Sequence, residues 1–330
     1  MQAVVTGGSG LLGGNLAVAL IDAGWSVRAV RRGSARVDHL ARWPIAWVDG
    51  DLSDADSLVR AVDGADAVFH CAAMVSVRSR PTPALVDANV GGTRRLIAAI
   101  RRAGVRRMVH CSSVSAIGAS DDGTPCTEAT RFDLARHGLD DGYAITKHQA
   151  EELVRAEVAA GGLDAVIANP TFLLGPLDRR PSSGRVIVEV VRGRVPGYTD
   201  GINNFVDVRD VARGMIAVHD RGETGERYIL GRESATWGEL FRTIARVAGV
   251  RPPRFRVPRW ATLALGRLGD LQERLTDAEV PLNSVQARYA WTTAFQFSSE
   301  RARTELGYTA GPIEPAIADA IAFFRSVGIL

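Results

Sequence analysis

The stretch VVTGGSGLLGG, residues 4–14, decides the fold of this chain. It has the pattern of a buried strand, a glycine turn and the start of a helix. Gly7, Gly10 and Gly13 stand in the spacing T-G-x-x-G-x-x-G. Glycine at these positions permits a tight turn, close approach of the backbone to a pyrophosphate, and close packing of the helix on the strand. The helix N-terminus that follows attracts phosphate charge. The stretch therefore predicts dinucleotide binding.

The remainder of the first half repeats this alternation of short apolar runs and helical patterns. Strands are predicted at 2–6, 26–30, 45–48, 67–72, 107–112 and 164–169. Helices are predicted near 11–23, 54–62, 84–103 and 143–160, and Gly24, Gly104 and Gly161 are placed to end three of them. Strands that alternate with helices at this spacing indicate an α/β fold with a doubly wound parallel sheet of the Rossmann type.

The pattern loosens after residue 170 and indicates a second part of the chain. We predict a nucleotide-binding domain over residues 1–170, to which 205–222 returns as a short strand and helix. A smaller, mostly helical substrate lobe is predicted over 171–204 and 223–330, with a last helix near 313–327.

Composition and charge exclude several classes of protein. The chain has 330 residues, 46% hydrophobic and 23% charged, as in an ordinary globular enzyme. A net charge of +3, spread along the chain, predicts no nucleic-acid partner. Three cysteines without a CxxC pair favour a reducing cytoplasm. The N-terminus has no signal-peptide pattern, and WATLALGRLG (260–269) is too short to span a bilayer, so no membrane partner is predicted. This segment is predicted to pack or to cover the substrate.

The end of the second strand bears on which dinucleotide binds. An acidic residue there usually holds the ribose 2′-hydroxyl of NAD, whereas arginine accommodates a 2′-phosphate. The chain offers Arg31, Arg32 and Ser34 at this place, so NADP is favoured and NAD stays possible. After the third strand, Asp51 is placed to accept a hydrogen bond from the adenine amino group. It could equally help to start the next helix, for which Ser53 is the better cap.

The chain contains 40 lysines and arginines, of which only Lys147 is a lysine. Tyr143 lies four residues before it, so both side chains are predicted on one face of a helix. A phenol has a pKa of about 10, and a nearby ammonium, together with the positive nicotinamide in one oxidation state, favours the phenolate, so we expect a lowered pKa for Tyr143. A compact ammonium can also bind the cofactor ribose. The pair therefore predicts acid–base chemistry.

A tyrosine that acts on a carbonyl needs a second donor for the oxygen. Ser112 and Ser113, at the end of the fifth predicted strand, supply hydroxyl groups that could polarise a carbonyl as hydride arrives. Serine pairs at strand ends also commonly satisfy the backbone of a turn, so both roles stay open.

The chain closely resembles the extended short-chain dehydrogenase/reductase family. The motifs are TGxxGxxG (6–13), DL (51–52), NVGGT (89–93), SS (112–113), YxxxK (143–147), NP (169–170), FVDVRDVA (205–212) and SERARTELGY (299–308). The resemblance implies that Ser113, Tyr143 and Lys147 are catalytic, that Asn89 organises a proton relay, and that Pro170 lies beside the nicotinamide. Residues also assigned to the cofactor site are Leu11, Leu12, Leu52, Ala72 and Ala73. Within the family, the sequence is most similar to dihydroflavonol 4-reductase-like ketone reductases.

The expected reaction is NADPH-dependent reduction of a ketone, or the reverse oxidation. Residues predicted to face the substrate are Met74, Val75, Ser115, Phe172 and Phe205, with Tyr198, Trp260 and Leu263 as further walls. Most are apolar, which favours a bulky, largely apolar small molecule. A sugar-nucleotide epimerase with retained NAD is the alternative, and a cofactor-sensing regulator is a further one. Because members of the family often pair through these helices, the resemblance also implies a homodimer through the helices near 85–103 and 143–160.

Two sets of polar residues are interpreted as structural. His70–Cys71 and His110–Cys111 end neighbouring strands, but adjacent residues point to opposite faces of a sheet, so no metal site is predicted. Glu151 and Glu152 are expected to begin the exposed face of the helix that carries Tyr143.

Overall fold

Twelve strands form in the residues that the computed structural model describes, which are 1–33, 35–276 and 278–330. Ser34, predicted beside the cofactor, lies outside them. The strands are β1 (Gln2–Thr6), β2 (Ser26–Arg31), β3 (Ile45–Asp49), β4 (Ala67–His70), β5 (Arg107–Cys111), β6 (Ala165–Pro170), β7 (Phe172–Leu174), β8 (Gly197–Tyr198), β9 (Ile202–Asp207), β10 (Arg227–Leu230), β11 (Ser234–Thr236) and β12 (Phe255–Arg256).

Thirteen α-helices lie in the same described residues. They are α1 (Leu11–Asp22), α2 (Ala55–Val62), α3 (Pro83–Val86), α4 (Gly92–Ala103), α5 (Leu134–His137), α6 (Gly142–Ala159), α7 (Arg185–Val191), α8 (Val208–Arg221), α9 (Trp237–Ala248), α10 (Arg259–Thr276), α11 (Ser284–Tyr289), α12 (Glu300–Leu306) and α13 (Glu314–Ser326). Gly24, Gly104 and Gly161 all take positive φ just after helices, so the three predicted helix stops are confirmed.

A parallel sheet of seven strands runs through the first lobe in the order β3-β2-β1-β4-β5-β6-β10. Helices cover both faces: α1 and α8 pack on one side, and α2, α4 and α6 on the other. The predicted doubly wound α/β fold is confirmed. The strand order reverses between β1 and β4, and ligands of such sheets bind outside the carboxyl ends of the strands at this point.

The second lobe has its own small sheet, of order β11-β9-β7, and a separate apolar core. Helices α7, α9 and α13 pack around this core. Strand β10 lies within the range 223–330 that was assigned to the second lobe, yet it pairs with β6 and completes the central sheet. Its four residues are all buried, and two of them, Tyr228 and Leu230, pack in the apolar core of the first lobe. The chain therefore crosses between the lobes more often than its composition indicates.

Two local features differ from the predicted helix starts and bounds. Helix α2 is capped by Asp54, whose carboxylate accepts from the backbone N–H groups of Asp56 and Ser57, so the predicted cap at Ser53 is wrong. The segment predicted as one helix near 84–103 contains a π-helical turn at Asp87–Gly91 between α3 and α4. Such a turn is widened by one residue and is frequent at functional sites.

Candidate active site

A cleft of about 500 Å³ crosses the carboxyl ends of β1, β2, β3 and β4. It lies at the reversal of strand order, where a dinucleotide is expected. The predicted cofactor residues that line it are Gly7, Gly10, Arg31, Arg32, Asp51, Leu52, Ala72 and Ala73. Lining residues that the sequence prediction missed include Ser9, Val30, Asp87 and Arg95. Their sequence signal was weak because each is an ordinary residue of a strand, loop or helix.

The turn from β1 into α1 is shaped to receive a phosphate group. Gly7 has φ of +70°, and a Cβ there would lie 2.8 Å from the backbone nitrogen of Ala72. A Cβ on Gly13 would lie 2.2 Å from the Gly7 carbonyl oxygen. Helix α1 begins after Gly10 without a side-chain cap, so its first N–H groups point outward unsatisfied. These residues fit the pyrophosphate of a dinucleotide.

The two arginines at the end of β2 have different surroundings. Arg31 forms an ion pair with Asp49, at 3.1 Å between Nε and Oδ1. Arg32 lines both the main cleft and an adjoining cleft of about 180 Å³. Leu11, Arg36, Arg179 and Arg180 also line this smaller cleft, so it gathers four arginines beside the start of α1. Arg32 is therefore the better placed of the pair for a phosphate.

Four predicted cofactor residues lie outside the walls of these clefts, namely Leu12, Gly13, Lys147 and Pro170. Leu12 packs in the core of the first lobe. Pro170 is buried at the end of β6, next to Leu230 of β10.

Asp51 lines the main cleft, and it accepts hydrogen bonds from the backbone N–H and the hydroxyl of Ser53, which lower the pKa of its carboxyl. Asp51 therefore presents a carboxylate to the cleft.

Helix α6 carries Tyr143 and Lys147 toward the ends of β4 and β5. Asp141 caps the helix by accepting from the backbone N–H of Ala144 at 2.7 Å. The Lys147 ammonium is 4% exposed and donates to the carbonyl oxygen of Cys111 at 2.6 Å. The Cys111 side chain lies beside that of Cys71, which lines the cleft. Lys147 thus lies just beneath the floor of the cleft.

Ser113 follows β5 and faces Tyr143. Its hydroxyl oxygen accepts from the backbone N–H of Ser115 at 3.1 Å and caps a short 3₁₀ turn. This acceptor role leaves the hydroxyl proton free to donate. The Ser113 hydroxyl is close enough to the Tyr143 phenol to lower the phenol's pKa. The structure therefore supports both open interpretations of Ser113: it satisfies a turn, and it can donate to a carbonyl.

The pKa of Tyr143 is raised, opposite to the direction predicted from the sequence. Burial of the phenol is the largest cause, and the Cys111 thiol raises the pKa further. The Lys147 pKa is itself lowered by burial. The prediction is wrong because it considered the ammonium and omitted the low-dielectric surroundings of the hydroxyl. The phenol therefore stays protonated at neutral pH.

Asn89 lies in the π-helical turn and joins two segments of the site. Its amide exchanges two hydrogen bonds with the backbone of Met74, at 2.7 and 2.9 Å. It also donates to the Thr146 hydroxyl of α6 at 3.0 Å. The side chain therefore ties the cleft wall to the helix of Tyr143 and Lys147. The predicted relay role stays a prediction, since these bonds are to backbone and Thr146.

A buried ion pair that the sequence prediction missed is connected to the backbone of Ser113 through Asn169. Glu151 is fully buried and pairs with Arg227 of β10 at 2.9 Å. Asn169 donates both to Glu151, at 2.8 Å, and to the Ser113 carbonyl, at 3.0 Å. The prediction that Glu151 begins an exposed face is wrong, because an arginine 76 residues away supplies its partner. Its neighbour Glu152 is exposed as expected.

The predicted substrate residues divide into two groups. Met74 and Val75 are 42% and 65% exposed, and Met74 lines the cleft. Ser115 is half-buried beside Ser113. Phe205 is 3% exposed and, with Phe172, packs edge-to-face on Trp237 in the core of the second lobe. Phe205 is therefore a core residue, because the small sheet turns its ring inward.

The two strand-end histidines lie side by side within the first lobe. The rings of His70 and His110 are 5.4 Å apart. His70 bonds to the hydroxyls of Thr6 and Thr93, and burial lowers its pKa to about 3. Among the residues that the structure describes, no three His, Cys, Asp or Glu side chains gather to hold a metal ion. His70 instead links β1 to α4.

A Rossmann sheet with a glycine-rich turn at its first helix, beside a cleft at the reversal of strand order, is the fold of the short-chain dehydrogenases/reductases, a class of oxidoreductases. Residues 3–231 match the family described as NAD dependent epimerase/dehydratase. The chain therefore belongs to this family, the extended branch of the short-chain dehydrogenases/reductases, and is an enzyme. The family is one that depends on a nucleotide cofactor.

Several relatives are similar to the chain over nearly its whole length. A Synechocystis sp. protein, provisionally named dihydroflavonol 4-reductase, is 35% identical and covers 98% of this chain and 94% of its own. The Stigmatella aurantiaca 4-hydroxy-2-methyl-3-oxo-4-farnesyl-3,4-dihydroquinoline-1-oxide ketoreductase is 32% identical, covering 93% and 92%. The solved structure of a nucleoside-diphosphate-sugar epimerase from Pseudomonas aeruginosa has a TM-score of 0.83 at 27% identity, covering 100% and 99%. The similarity to dihydroflavonol 4-reductase-like proteins is confirmed.

Proposed function

We propose that the protein is an NADPH-dependent reductase that converts a ketone on a bulky, largely apolar small molecule into a secondary alcohol, or catalyses the reverse oxidation. The observation that carries this proposal is that Tyr143 and Lys147 lie one turn apart on α6, with Ser113 beside Tyr143 after the end of β5. Lys147 bonds to the Cys111 carbonyl, and the Cys111 thiol contacts Cys71 of the cleft wall. Two hydroxyl groups and one ammonium are thus close together beside the cleft, where we expect the nicotinamide ring to bind.

Each of the three side chains has a distinct task in this reaction. A bound nicotinamide cofactor supplies the hydride. Ser113 donates its free hydroxyl proton to the carbonyl oxygen and holds it. Tyr143, kept protonated by its raised pKa, transfers a proton to the same oxygen, which completes the alcohol. The Lys147 ammonium stabilises the phenolate that is left, and water from the cleft returns the proton to Tyr143.

Replacement of Tyr143 by Phe tests the mechanism. The variant keeps the ring and loses the proton donor, so we expect kcat to fall by roughly a thousandfold, the middle of the range for general acid catalysis. The Kd for NADPH should stay within about twofold. Tyr308→Phe is the matched control, because the Tyr308 hydroxyl is buried without a hydrogen-bond partner. Turnover in Tyr143→Phe equal to that of the control would exclude Tyr143 as the acid.

The preference for NADPH over NADH is proposed to depend mainly on Arg32. Its guanidinium lines both clefts, whereas that of Arg31 is engaged by Asp49. We expect Arg32→Ala to reduce the ratio of NADPH to NADH affinity by about tenfold, as for one lost charge-assisted phosphate contact. Arg60→Ala removes an exposed arginine of α2 as a control for net charge. Equal affinities for the two cofactors in the parent protein would refute the proposal.

The apolar substrate class is supported by the exposed apolar residues beside the site. Met74 and Val75 are exposed apolar residues, and Met74 lines the cleft. Two relatives reported above carry names of ketone reductases whose substrates contain aromatic or isoprenoid groups. A cofactor-oxidation screen that compares hydrophobic cyclic ketones with nucleotide keto-sugars tests the class. Turnover confined to the keto-sugars would show that the substrate class is wrong.

A sugar-nucleotide epimerase is the second candidate, and the likeness to the Pseudomonas aeruginosa epimerase structure favours it. Such an enzyme oxidises and re-reduces one substrate on a cofactor that it retains. Purified protein with one tightly bound NAD per chain, and turnover without added cofactor, would establish the epimerase. Stoichiometric consumption of added NADPH would establish the reductase.

A further inference from the structure

Helix α10 of the second lobe is turned with its polar and small residues inward and its leucines outward. Its large outward side chains are between 52% and 76% exposed, and they are Trp260, Leu265, Leu268, Leu271 and Leu275. Its buried residues are Thr262, Gly266 and Gly269. On a helix of 3.6 residues per turn the outward set forms one continuous stripe. A surface helix of a globular protein normally has the opposite arrangement.

The inward face explains why the helix cannot rotate to bury its leucines. A Cβ on Gly269 would lie 2.0 Å from the Leu282 carbonyl oxygen, so α10 and the chain before α11 touch backbone to backbone. Asp270 accepts from the N–H of Ser284 at 2.9 Å. Glu273 accepts from Asn283 and from the N–H of Val280. These polar contacts fix the orientation that leaves the leucine stripe exposed.

The exposed charged residues of α10 itself are all arginines. Residues 251–276 contain six arginines and two carboxylates, and both carboxylates are the inward-facing Asp270 and Glu273. Arg259, Arg267 and Arg274 are exposed on the same helix. The ion pairs formed among the described residues include none of these three arginines. The outer surface of α10 is therefore an apolar stripe with a basic border.

We propose that this outer surface of α10 binds the face of an anionic lipid bilayer, with the helix lying in the plane of the interface. An apolar stripe flanked by arginine and bearing a tryptophan matches the chemistry of such a surface, in which leucines enter the acyl boundary and arginines meet lipid phosphates. None of the described helices is long and apolar enough to cross a membrane. The earlier prediction of no membrane partner considered only a spanning segment.

A second copy of the chain fits this surface less well. Most dimers form around a two-fold axis, so the stripe of one copy would meet the stripe of the other. The arginines that border both stripes would then face each other, and like charges across an interface cost binding free energy. A bilayer supplies the opposite charge at the same place. Charge complementarity therefore favours the lipid surface as the occupant.

The α10–α11 region is hydrogen-bonded to the rim of the active site. Asn283 donates to the carbonyl of Val77 at 2.6 Å, and Ser76 donates to Glu279 at 2.6 Å. Met74 and Val75 directly precede Ser76 and Val77 in the chain. If the proposed function is right, an enzyme docked through α10 holds the mouth of its site close to the membrane in which an apolar ketone dissolves. Lipid binding itself does not depend on that function.

Vesicle binding of the full chain tests the proposal without any substrate. We expect the protein to sediment with vesicles of equal parts phosphatidylglycerol and phosphatidylcholine. Leu268→Glu/Leu275→Glu should lower the partition coefficient at least tenfold, because two charges enter the stripe. Ala318→Glu/Ala322→Glu, on the exposed face of α13, adds the same charges elsewhere and should stay within twofold. Arg267→Gln/Arg274→Gln should lower binding to these vesicles by about tenfold, with little change on pure phosphatidylcholine.

Two results would overturn the proposal. One is equal vesicle binding by the parent and the Leu268→Glu/Leu275→Glu variant, when thermal denaturation shows that both proteins are folded. The other is absence of binding to the anionic vesicles together with a dimer, by light scattering, that the same variant dissociates. That second result would assign the stripe to another copy of the chain. The Arg267→Gln/Arg274→Gln variant keeps the test valid if the glutamate variant fails to fold, because its arginines are exposed.

Discussion

Helices α6 and α10 are both 18 residues long, and they break the usual distribution of polar and apolar residues in opposite ways. Helix α6 buries a lysine and a glutamate against the central sheet. Helix α10 exposes four leucines and a tryptophan and buries glycine and threonine. Local departures from the expected pattern often mark functional positions in natural proteins.

The two helices differ in whether other residues of the chain bind or cover their unusual side chains. Every charge that α6 buries has a partner inside the chain: Cys111 for Lys147, and Arg227 with Asn169 for Glu151. The exposed leucines of α10 have no such cover in the described structure. A buried charge with internal partners indicates chemistry performed inside the protein. Exposed apolar residues without internal cover indicate a partner outside it.

The largest expected effect comes from removing the partner of Glu151. Arg227→Met leaves a fully buried carboxylate without its cation, and breaking such a pair typically costs 3–5 kcal/mol, so we expect about 4 kcal/mol less free energy of unfolding. Urea denaturation measures it. Glu151→Gln/Arg227→Met removes both charges and should recover more than half of the loss. A double variant as unstable as the single one would show that the ion pair does not explain the burial.

The next largest effect is expected from two neighbouring residues on opposite faces of α10, whose substitution should change the stability of the protein by different amounts. Gly269→Ala places a methyl group 2.0 Å from the Leu282 carbonyl oxygen, so α10 must shift, at a cost of about 2 kcal/mol. Leu268→Ala removes an exposed side chain and should change the free energy of unfolding by less than about 0.5 kcal/mol. Thermal or urea denaturation of the two variants measures both values. A larger loss for Leu268→Ala would mean that the stripe is part of the folded core.

The smallest expected effect depends on pH and concerns the cap of α6. Burial raises the pKa of Asp141 to about 6 from its ordinary 3.8. A carboxyl whose pKa is raised on folding costs stability above about pH 6, and this cost disappears as the pH falls to about 4. Asp141→Asn keeps an acceptor for the Ala144 N–H and cannot ionise.

We therefore expect Asp141→Asn to raise the free energy of unfolding by about 1 kcal/mol at pH 8 and by nearly nothing at pH 4. The full shift corresponds to about 3 kcal/mol, but a neutral oxygen is a weaker acceptor than a carboxylate. Urea denaturation at both pH values measures the difference. Destabilisation at pH 8 would show that the carboxylate's helix-cap bond outweighs its burial.

The fold was predictable from sequence because its signals are local. Glycine spacing, apolar runs and helix stops each act within a few residues, and they placed β1 to β6 and the doubly wound sheet. For the second lobe, local signals did not predict which side chains point into the core and which point to the surface. Phe205 turns into the core because β9 pairs with β7, and no feature near residue 205 specifies that pairing.

The same distinction between local and distant partners applies to the site. The positions of Tyr143 and Lys147 follow from helical spacing, which is local. The buried state of Glu151 depends on Arg227, and the raised pKa of Tyr143 depends on the packing around its hydroxyl. Both are properties of groups that meet only in the folded chain. Sequence patterns identify such groups and do not supply the free energies that act on them.

The single lysine also makes the active site observable without any engineered label. Lys147 carries the one ε-amino group of the sequence, and it lies beneath the cleft. Protein produced with ¹⁵N-lysine would give a single side-chain ammonium resonance, free from overlap. Under the proposed function, its chemical shift and hydrogen exchange would report on cofactor occupancy and on proton transfer at Tyr143 during turnover. The arginine-rich composition of the chain thus gives the enzyme a built-in spectroscopic probe beside the cleft.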